Sequence, residues 1–293
     1  MEVDNSPSES SKETESKGQQ HTQLVEAVTD AIGQLAQVCP SEFLQNLFKK
    51  VVQRLLQATT EVASNGPNNN NNATTTRISS LLGIGQALAA SGSLGDTSLS
   101  LLYRAVRPLV RSWEHDPIVQ KRAYKVLAEI CSNHKSFVTS TPERLGELTD
   151  MLIDSIVTCQ VSARHMRLKC MTHVVAGLDS ANETHMAVIP KIMGEVLLCL
   201  KDSNAKTREA AYQLLIAMAV SRDDMTDYFQ IVVAALGGQT THMRSAAVMA
   251  LSRLIYEYAR EEAEVQDLLP SLMQTVAVLF DDSSREVTKS VIG

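Results

Sequence analysis

Residues 187–221 read AVIPKIMGEVLLCL (Ala187–Leu200), KDSNAKT (Lys201–Thr207) and REAAYQLLIAMAVS (Arg208–Ser221), and this stretch decides the fold. In the first segment Ile189, Ile192, Met193, Val196, Leu197 and Leu200 recur at i, i+3, i+4, i+7, i+8 and i+11, a spacing that gathers apolar side chains on one helix face. In the third, Ala211, Leu214, Leu215 and Met218 do the same. The polar segment between them is short, so the stretch predicts a helical hairpin. Neither helix can bury its stripe alone, and the hairpin therefore needs neighbours.

The rest of the chain supplies them. The second-helix stripe recurs at Ala123, Val126, Leu127 and Ile130, at Met171, Val174, Val175 and Leu178, at Ala247, Ala250, Leu251 and Leu254, and in a last copy at Thr288, Val291 and Ile292. Its first positions are 48, 40, 36 and 41 residues apart. First helices correspond too: IPKIMGEVLLCL from Ile189 and LPSLMQTVAVLF from Leu269 share a proline and a methionine at matching places. Two helices per period of about 40 residues predict an all-α, HEAT- or armadillo-like α-solenoid of stacked hairpins.

Composition agrees. The 293 residues contain 4% aromatics, Gly 13 and Pro 8, as suits helices sealed by Leu, Ala, Val and Met. No apolar run reaches the roughly 18 residues of a membrane span, and the N-terminus lacks the apolar core of a secretory signal. Cys39, Cys131, Cys159, Cys170 and Cys199 are odd in number and lack CxxC spacing, which predicts reduced thiols of an intracellular protein.

Residues 1–21, with five acids, two lysines and one apolar side chain beyond Met1, are expected to be a disordered acidic tail. The repeat domain is expected over 22–293. Pro40 should break its first helix and Ser41 cap the second, which carries Phe43, Leu47, Phe48, Val51, Val52 and Leu55 on one face. Residues 65–76, NGPNNNNNATTT, read as an Asn-rich disordered loop, with a third helix from Arg77 to Ala90. The next unit places Leu99, Leu102, Val106, Leu109 and Trp113 on its first helix, and Asp116 before Pro117 predicts an N-cap with proline at N1. Helices are further expected over 145–159, 163–178, 225–236, 242–258 and 265–280. The chain stops inside an apolar helix, so it is expected to be a fragment or a truncated gene model, with a frayed last helix.

No sequence motif points to catalysis. GxSxG, HExxH, P-loop and Rossmann fingerprints are absent from the sequence, no cofactor is implied, and the cysteines have no evident base beside them. His165, Cys170 and His173, at i, i+5 and i+8 of a helix, do not converge as tetrahedral metal ligands must. Arg208, Arg244 and Arg285 each stand three residues before their stripe, with Arg122 and Arg167 nearby. Such recurrence favours a structural bond to a neighbouring turn, where Asp202 and Asp282 are available, over ligand contact.

Charge is unevenly spread. Against a net charge of −6, residues 104–169 hold eleven Lys/Arg and seven Asp/Glu, whereas 223–293 hold five and eleven. Solvated helix faces are the simpler reading, and the alternative is a basic contact strip for RNA phosphates with an acidic one for a basic protein. If it is a strip, the candidate RNA-binding residues are Lys121, Arg122 and Lys125, then Arg164, Arg167 and Lys169, then Lys206 and Arg208, each set opening a second helix. Stacking should bring these sets into a row where helix N-termini add positive potential. Lys121, Lys125, Arg164, Lys169 and Lys206 are the expected solvent-facing members.

The segments LLYRAVRPLV (from Leu101), VQKRAYKVLAEIC (from Val119), RLKCMTHVV (from Arg167), VIPKIMGEVLLCLKDSNAKTREAAYQLLIAM (from Val188) and SSREVTKSVIG (from Ser283) resemble the HEAT-repeat ribosomal RNA-processing protein 12 family, in order over about residues 99–293. The resemblance implies a non-catalytic, nuclear and nucleolar scaffold. It would associate with pre-ribosomal particles, rRNA and ribosome-assembly or nuclear-transport proteins, and support rRNA processing and subunit export. It implies no small-molecule substrate and no membrane partner. A karyopherin-like transport adaptor, or a scaffold subunit of another protein complex, would use the same architecture.

Overall fold

The computed structural model describes residues 23–24, 27–65, 72–111, 116–222, 225–260 and 262–292. The expectations for residues 1–21 and for Trp113 fall outside them. Among the described residues every regular element is a helix: α1 (27–38), α2 (Ser41–Asn65), α3 (Asn72–Ala90), α4 (Asp96–Arg111), α5 (Pro117–Asn133), α6 (Lys135–Thr139), α7 (Pro142–Asp154), α8 (Arg164–Val175), α9 (Glu183–Met186), α10 (Val188–Cys199), α11 (Ala205–Val220), α12 (Met225–Ala234), α13 (Thr241–Tyr258), α14 (Ala263–Ala277) and α15 (Arg285–Ile292), with short 3-10 turns after α12 and α14. This is the all-α, HEAT/armadillo-like class that the periodicity predicts. Internal contacts divide the chain into unit 1, residues 1–137, and unit 2, residues 138–293.

In unit 1, α2 packs on α3 and α4, and α5 packs on α3 and α4. The buried stripe of α2 is Leu44, Phe48, Val51, Val52, Leu55 and Ala58. Phe43, expected on this face, is 58% exposed, because the helix phase puts Leu44 inward in its place. Helix α3 begins at Asn72, so the polar run 72–76 is helical where a loop was expected. The N-cap of α5 is as predicted: the Asp116 carboxylate accepts from the backbone N–H of Ile118 at 3.0 Å and of Val119 at 3.1 Å. Below it Ala123, Val126, Leu127 and Ile130 are buried.

In unit 2 the hairpins are α7/α8, α10/α11, α12/α13 and α14/α15. Helix α8 lies on α11, α13 against α10 and α15, and α12 against α14. The whole stripe of the central hairpin is buried, including Leu214 and Leu215, and the Tyr228 hydroxyl of α12 donates to the Leu215 carbonyl at 2.7 Å. Helix α7 stops at Asp154, not 159, and Leu178 lies beyond the end of α8. The register weakens near the last hairpin. Val287 is the buried residue of α15 while Ile292 is 72% exposed, and Met273 of α14 is 63% exposed although its counterpart Met193 is buried. Among the described residues no further helix covers that side, so the apolar pattern exceeds the available packing.

Candidate nucleic-acid interface

The three candidates of unit 1 share the early turns of α5. Lys121, Arg122 and Lys125 are each half-buried, so Lys121 and Lys125 are less open to solvent than expected. Arg122 and Lys125 line a cleft of about 520 Å³ whose other walls come from α1 and α3. Glu129, one turn on, also lines it. That carboxylate accepts from Gln86 Nε2 at 3.2 Å and from Asn133 Nδ2 at 3.0 Å, one bond to each oxygen.

Unit 2 sorts its five candidates differently. Arg164 is ion-paired with Asp202 in the turn before α11, and its side chain is one-third exposed. Burial lowers its pKa, but the Asp202 hydrogen bond and charge outweigh this and hold it above the ordinary value. Arg167 has 0% side-chain exposure. Its Nε donates to the Leu152 carbonyl at 2.7 Å and to Ser155 Oγ at 3.2 Å, and its Nη atoms grip both oxygens of Glu195. A guanidinium buried in that way cannot also reach a phosphate in solvent, so Arg167 is a structural residue. Lys169, two positions on and about 200° round the helix, is exposed. Lys206 and Arg208, in the first turn and a half of α11, are exposed as well.

Of the recurring arginines, Arg208 and Arg244 bond turns, as their position suggests. Arg208 Nη1 donates to the carbonyls of Asp202 and Ser203 at 2.8 and 3.0 Å, and Arg244 Nη1 donates to those of Gly238 and Gln239 at 3.0 and 3.3 Å. Each bond pair reaches six and five residues back, to the turn that precedes its own helix. Arg244 also holds Asp282 of the next turn through Nε and Nη2, at 2.8 and 3.1 Å. The hydrogen bond from Arg244 keeps the Asp282 carboxyl below its ordinary pKa, and that from Lys201 does so for Glu286.

Arg208 lacks that second grip. Asp202, Gly238 and Asp282 stand three residues before α11, α13 and α15, so the turn before α13 carries a glycine where the other two carry an aspartate. A Cβ at Gly238 would lie 2.7 Å from Met243 Cγ and 3.0 Å from the Ala235 carbonyl oxygen, so any larger residue there must displace its neighbours. Among the described residues the remaining donors of Arg208 have no protein acceptor. The sequence held this signal in Gly237-Gly238, which reads simply as a helix break.

No group of three or more His, Cys, Asp or Glu is placed to hold a metal ion among the described residues, and no helix there is long and apolar enough to cross a membrane. Burial pushes the thiols of Cys131 and Cys199 up to about 12, so both stay protonated at neutral pH and are poor nucleophiles.

Residues 118–292 match the TOG domain of the XMAP215/Dis1/CLASP family. The chain is 31% identical to the RRP12-like protein of Gallus gallus over 216 residues, covering 70% of this chain and 16% of that protein. It is 25% identical to ribosomal RNA-processing protein 12 of Saccharomyces cerevisiae over 289 residues, covering 91% of this chain and 23% of that protein. The chain thus spans less than a quarter of the length of these relatives. Among solved structures it is similar to a designed armadillo repeat protein, with 15% identity, a TM-score of 0.45, and coverage of 85% of this chain and 96% of the other. The chain therefore belongs, over residues 118–292, to the XMAP215/Dis1/CLASP TOG-domain family, and its curated homologues are ribosomal RNA-processing protein 12 proteins.

Proposed function

We propose that this segment is a non-catalytic helical-repeat scaffold of ribosome biogenesis, which binds pre-ribosomal particles in the nucleus and nucleolus and supports rRNA processing and nuclear export of the subunits. The observation that carries this reading is the homology to a protein named ribosomal RNA-processing protein 12 across 91% of the chain. The exposed cations Lys169, Lys206 and Arg208, with Lys121 of unit 1, are its general contacts to RNA phosphate. Arg164 contributes less because Asp202 already neutralises it. Ionic contacts of this kind hold the backbone without reading sequence.

The test is a Lys169→Glu/Lys206→Glu/Arg208→Glu variant, checked by circular dichroism and titrated with RNA at several salt concentrations. Affinity should fall for all RNAs alike, and the salt slope should drop by about 1 for each phosphate that is no longer neutralised. Affinity purification with and without RNase should recover pre-ribosomal RNA and assembly factors. An unchanged slope in a folded variant removes these residues from the mechanism. Recovery of a transport complex without RNA would instead support the adaptor reading, which the acidic stretch 223–293 favours through attraction to basic cargo.

A further inference from the structure

We propose that the cleft of unit 1 receives a single unstacked nucleotide of single-stranded RNA. Its phosphate lies on Arg122 and Lys125, and its base edge faces the side-chain amides of Gln34, Gln37 and Gln86. This rests on the ribosomal-RNA reading above and narrows it to one site and one state of the RNA. At about 520 Å³ the cleft falls inside the roughly 300–1,000 Å³ range of small-ligand sites, large enough for a nucleotide and too small for a duplex.

Three features select this ligand. First, Arg122 carries five N–H donors yet has no hydrogen-bond or ion-pair partner among the described residues, although it is half-buried. Its Nη1 lies 3.9 Å from the place a Cβ on Gly83 would take, so it is held against α3. A half-buried charge kept without a partner is costly, and an anion in the cleft would supply the missing acceptor. The lining carboxylate Glu129 bonds Gln86 and Asn133 and, among the described residues, makes no bond to Arg122. The other lining carboxylate, Asp30, is exposed.

Second, the cleft has depth without grease. Gly33 lies against Ala87, where an added Cβ would meet the Ala87 Cβ at 3.5 Å, so small residues bring α1 and α3 together. No aromatic side chain and no Leu, Ile, Val or Met lines the cavity. A protein partner is anchored mainly by apolar or aromatic side chains in pockets, and this cleft offers them no purchase. Third, a glutamine amide carries both donors and an acceptor, the set needed to meet base edges freed from pairing. Bases inside a duplex cannot enter, and that separates this site from ionic contacts elsewhere, which hold single and double strands alike.

The experiment uses the whole 293-residue chain. Ala90, exposed at the end of α3 and lining the cleft, is changed to Trp to fill the cavity without altering charge. Arg122→Gln removes the bond to the anion in a second variant, so the test survives if one variant misfolds. Oligouridylate, oligoadenylate and an RNA duplex of the same length are titrated against each. Both variants should bind the single strands about tenfold more weakly, as expected when one good ionic bond is removed, and bind the duplex as the parent does. Single-strand binding at parental strength in both folded variants overturns the cleft, and so does an equal weakening on the duplex. If the Lys169→Glu/Lys206→Glu/Arg208→Glu variant still loses affinity in that case, the general RNA reading stands while the cleft falls. If no variant changes RNA binding, both fall. Cleft variants that release a polyglutamate peptide but still hold RNA would overturn the proposal in favour of an acidic protein ligand.

Discussion

Arg167→Met isolates the buried ion pair that joins α7, α8 and α10. The parent guanidinium is fully enclosed, and its Glu195 partner is only 10% exposed. Replacing it with Met preserves most of the volume but leaves the Glu195 carboxylate buried with no counter-charge. Breaking a buried pair from one side costs about 3–5 kcal/mol. At about 2–4 °C per kcal/mol for a chain region of this size, Tm should drop by roughly 6–20 °C. The double variant Arg167→Met/Glu195→Met should be more stable than the single one, because the stranded charge is gone. What remains is the absence of the arginine donors to the Leu152 carbonyl, and Ser155 Oγ still donates to that oxygen at 3.1 Å. The residual cost is therefore near the low end of about 1–3 kcal/mol. The assay is thermal and urea unfolding of the two variants beside the parent, with hydrogen exchange of the α8 amides to place the effect, since repeat arrays need not unfold as one unit. A single variant that melts with the parent would falsify the assignment of Arg167 as a structural clamp. A double variant no more stable than the single would show that the carboxylate is not what the mutation strands.

Two further outcomes follow from the turns of unit 2. Asp282 and Glu286 have native pKa values held below their ordinary 3.8 and 4.5, so their bonds to Arg244 and Lys201 stabilise fully above about pH 4.5 and are lost as pH falls through the lower native values. Amide protection of α15 should thus stay level from neutral pH down to about 5 and decline below about 4.5, with Asp282→Asn lowering the plateau and flattening the decline; protection that rises on acidification would refute this. Gly238→Ala puts a Cβ 2.7 Å from Met243 Cγ and 3.0 Å from a backbone oxygen, and should cost about 1–3 kcal/mol by overpacking. Adding Met243→Ala should recover part of it in urea unfolding, and a neutral Gly238→Ala would mean the turn is looser than its contacts indicate.

How far the sequence carried the fold depends on what each pattern encodes. The stripe Ala211, Leu214, Leu215, Met218 and its copies was legible because a helix repeats its inward direction every three to four residues and a solenoid repeats that helix. Phase is a finer matter: Phe43 and Leu44 are both apolar neighbours, and only packing against α3 and α4 decides that Leu44 turns inward. Polar residues are less legible still. Recurrence announced the arginines of the second helices, but Arg164 and Arg244 find Asp202 and Asp282 in the following repeat, while Arg167 turns to Glu195. A count of charges therefore could not separate the clamp from the exposed Lys169 two residues away. The least legible feature is the cleft, whose walls come from α1, α3 and α5, about a hundred residues apart in the chain from Thr29 to Glu129. Arg122 looked like one more member of a basic cluster. Its meaning changes only when Glu129 is seen to bond Gln86 and Asn133 and not Arg122, an arginine with donors and no acceptor among the described residues, beside three glutamines. Periodicity finds the scaffold in such a repeat protein because every repeat solves the same packing problem. The proposed contacts lie where one repeat departs from the others, as at Gly238 and at the cleft, and a departure can be recognised only against the neighbouring turns that keep the rule.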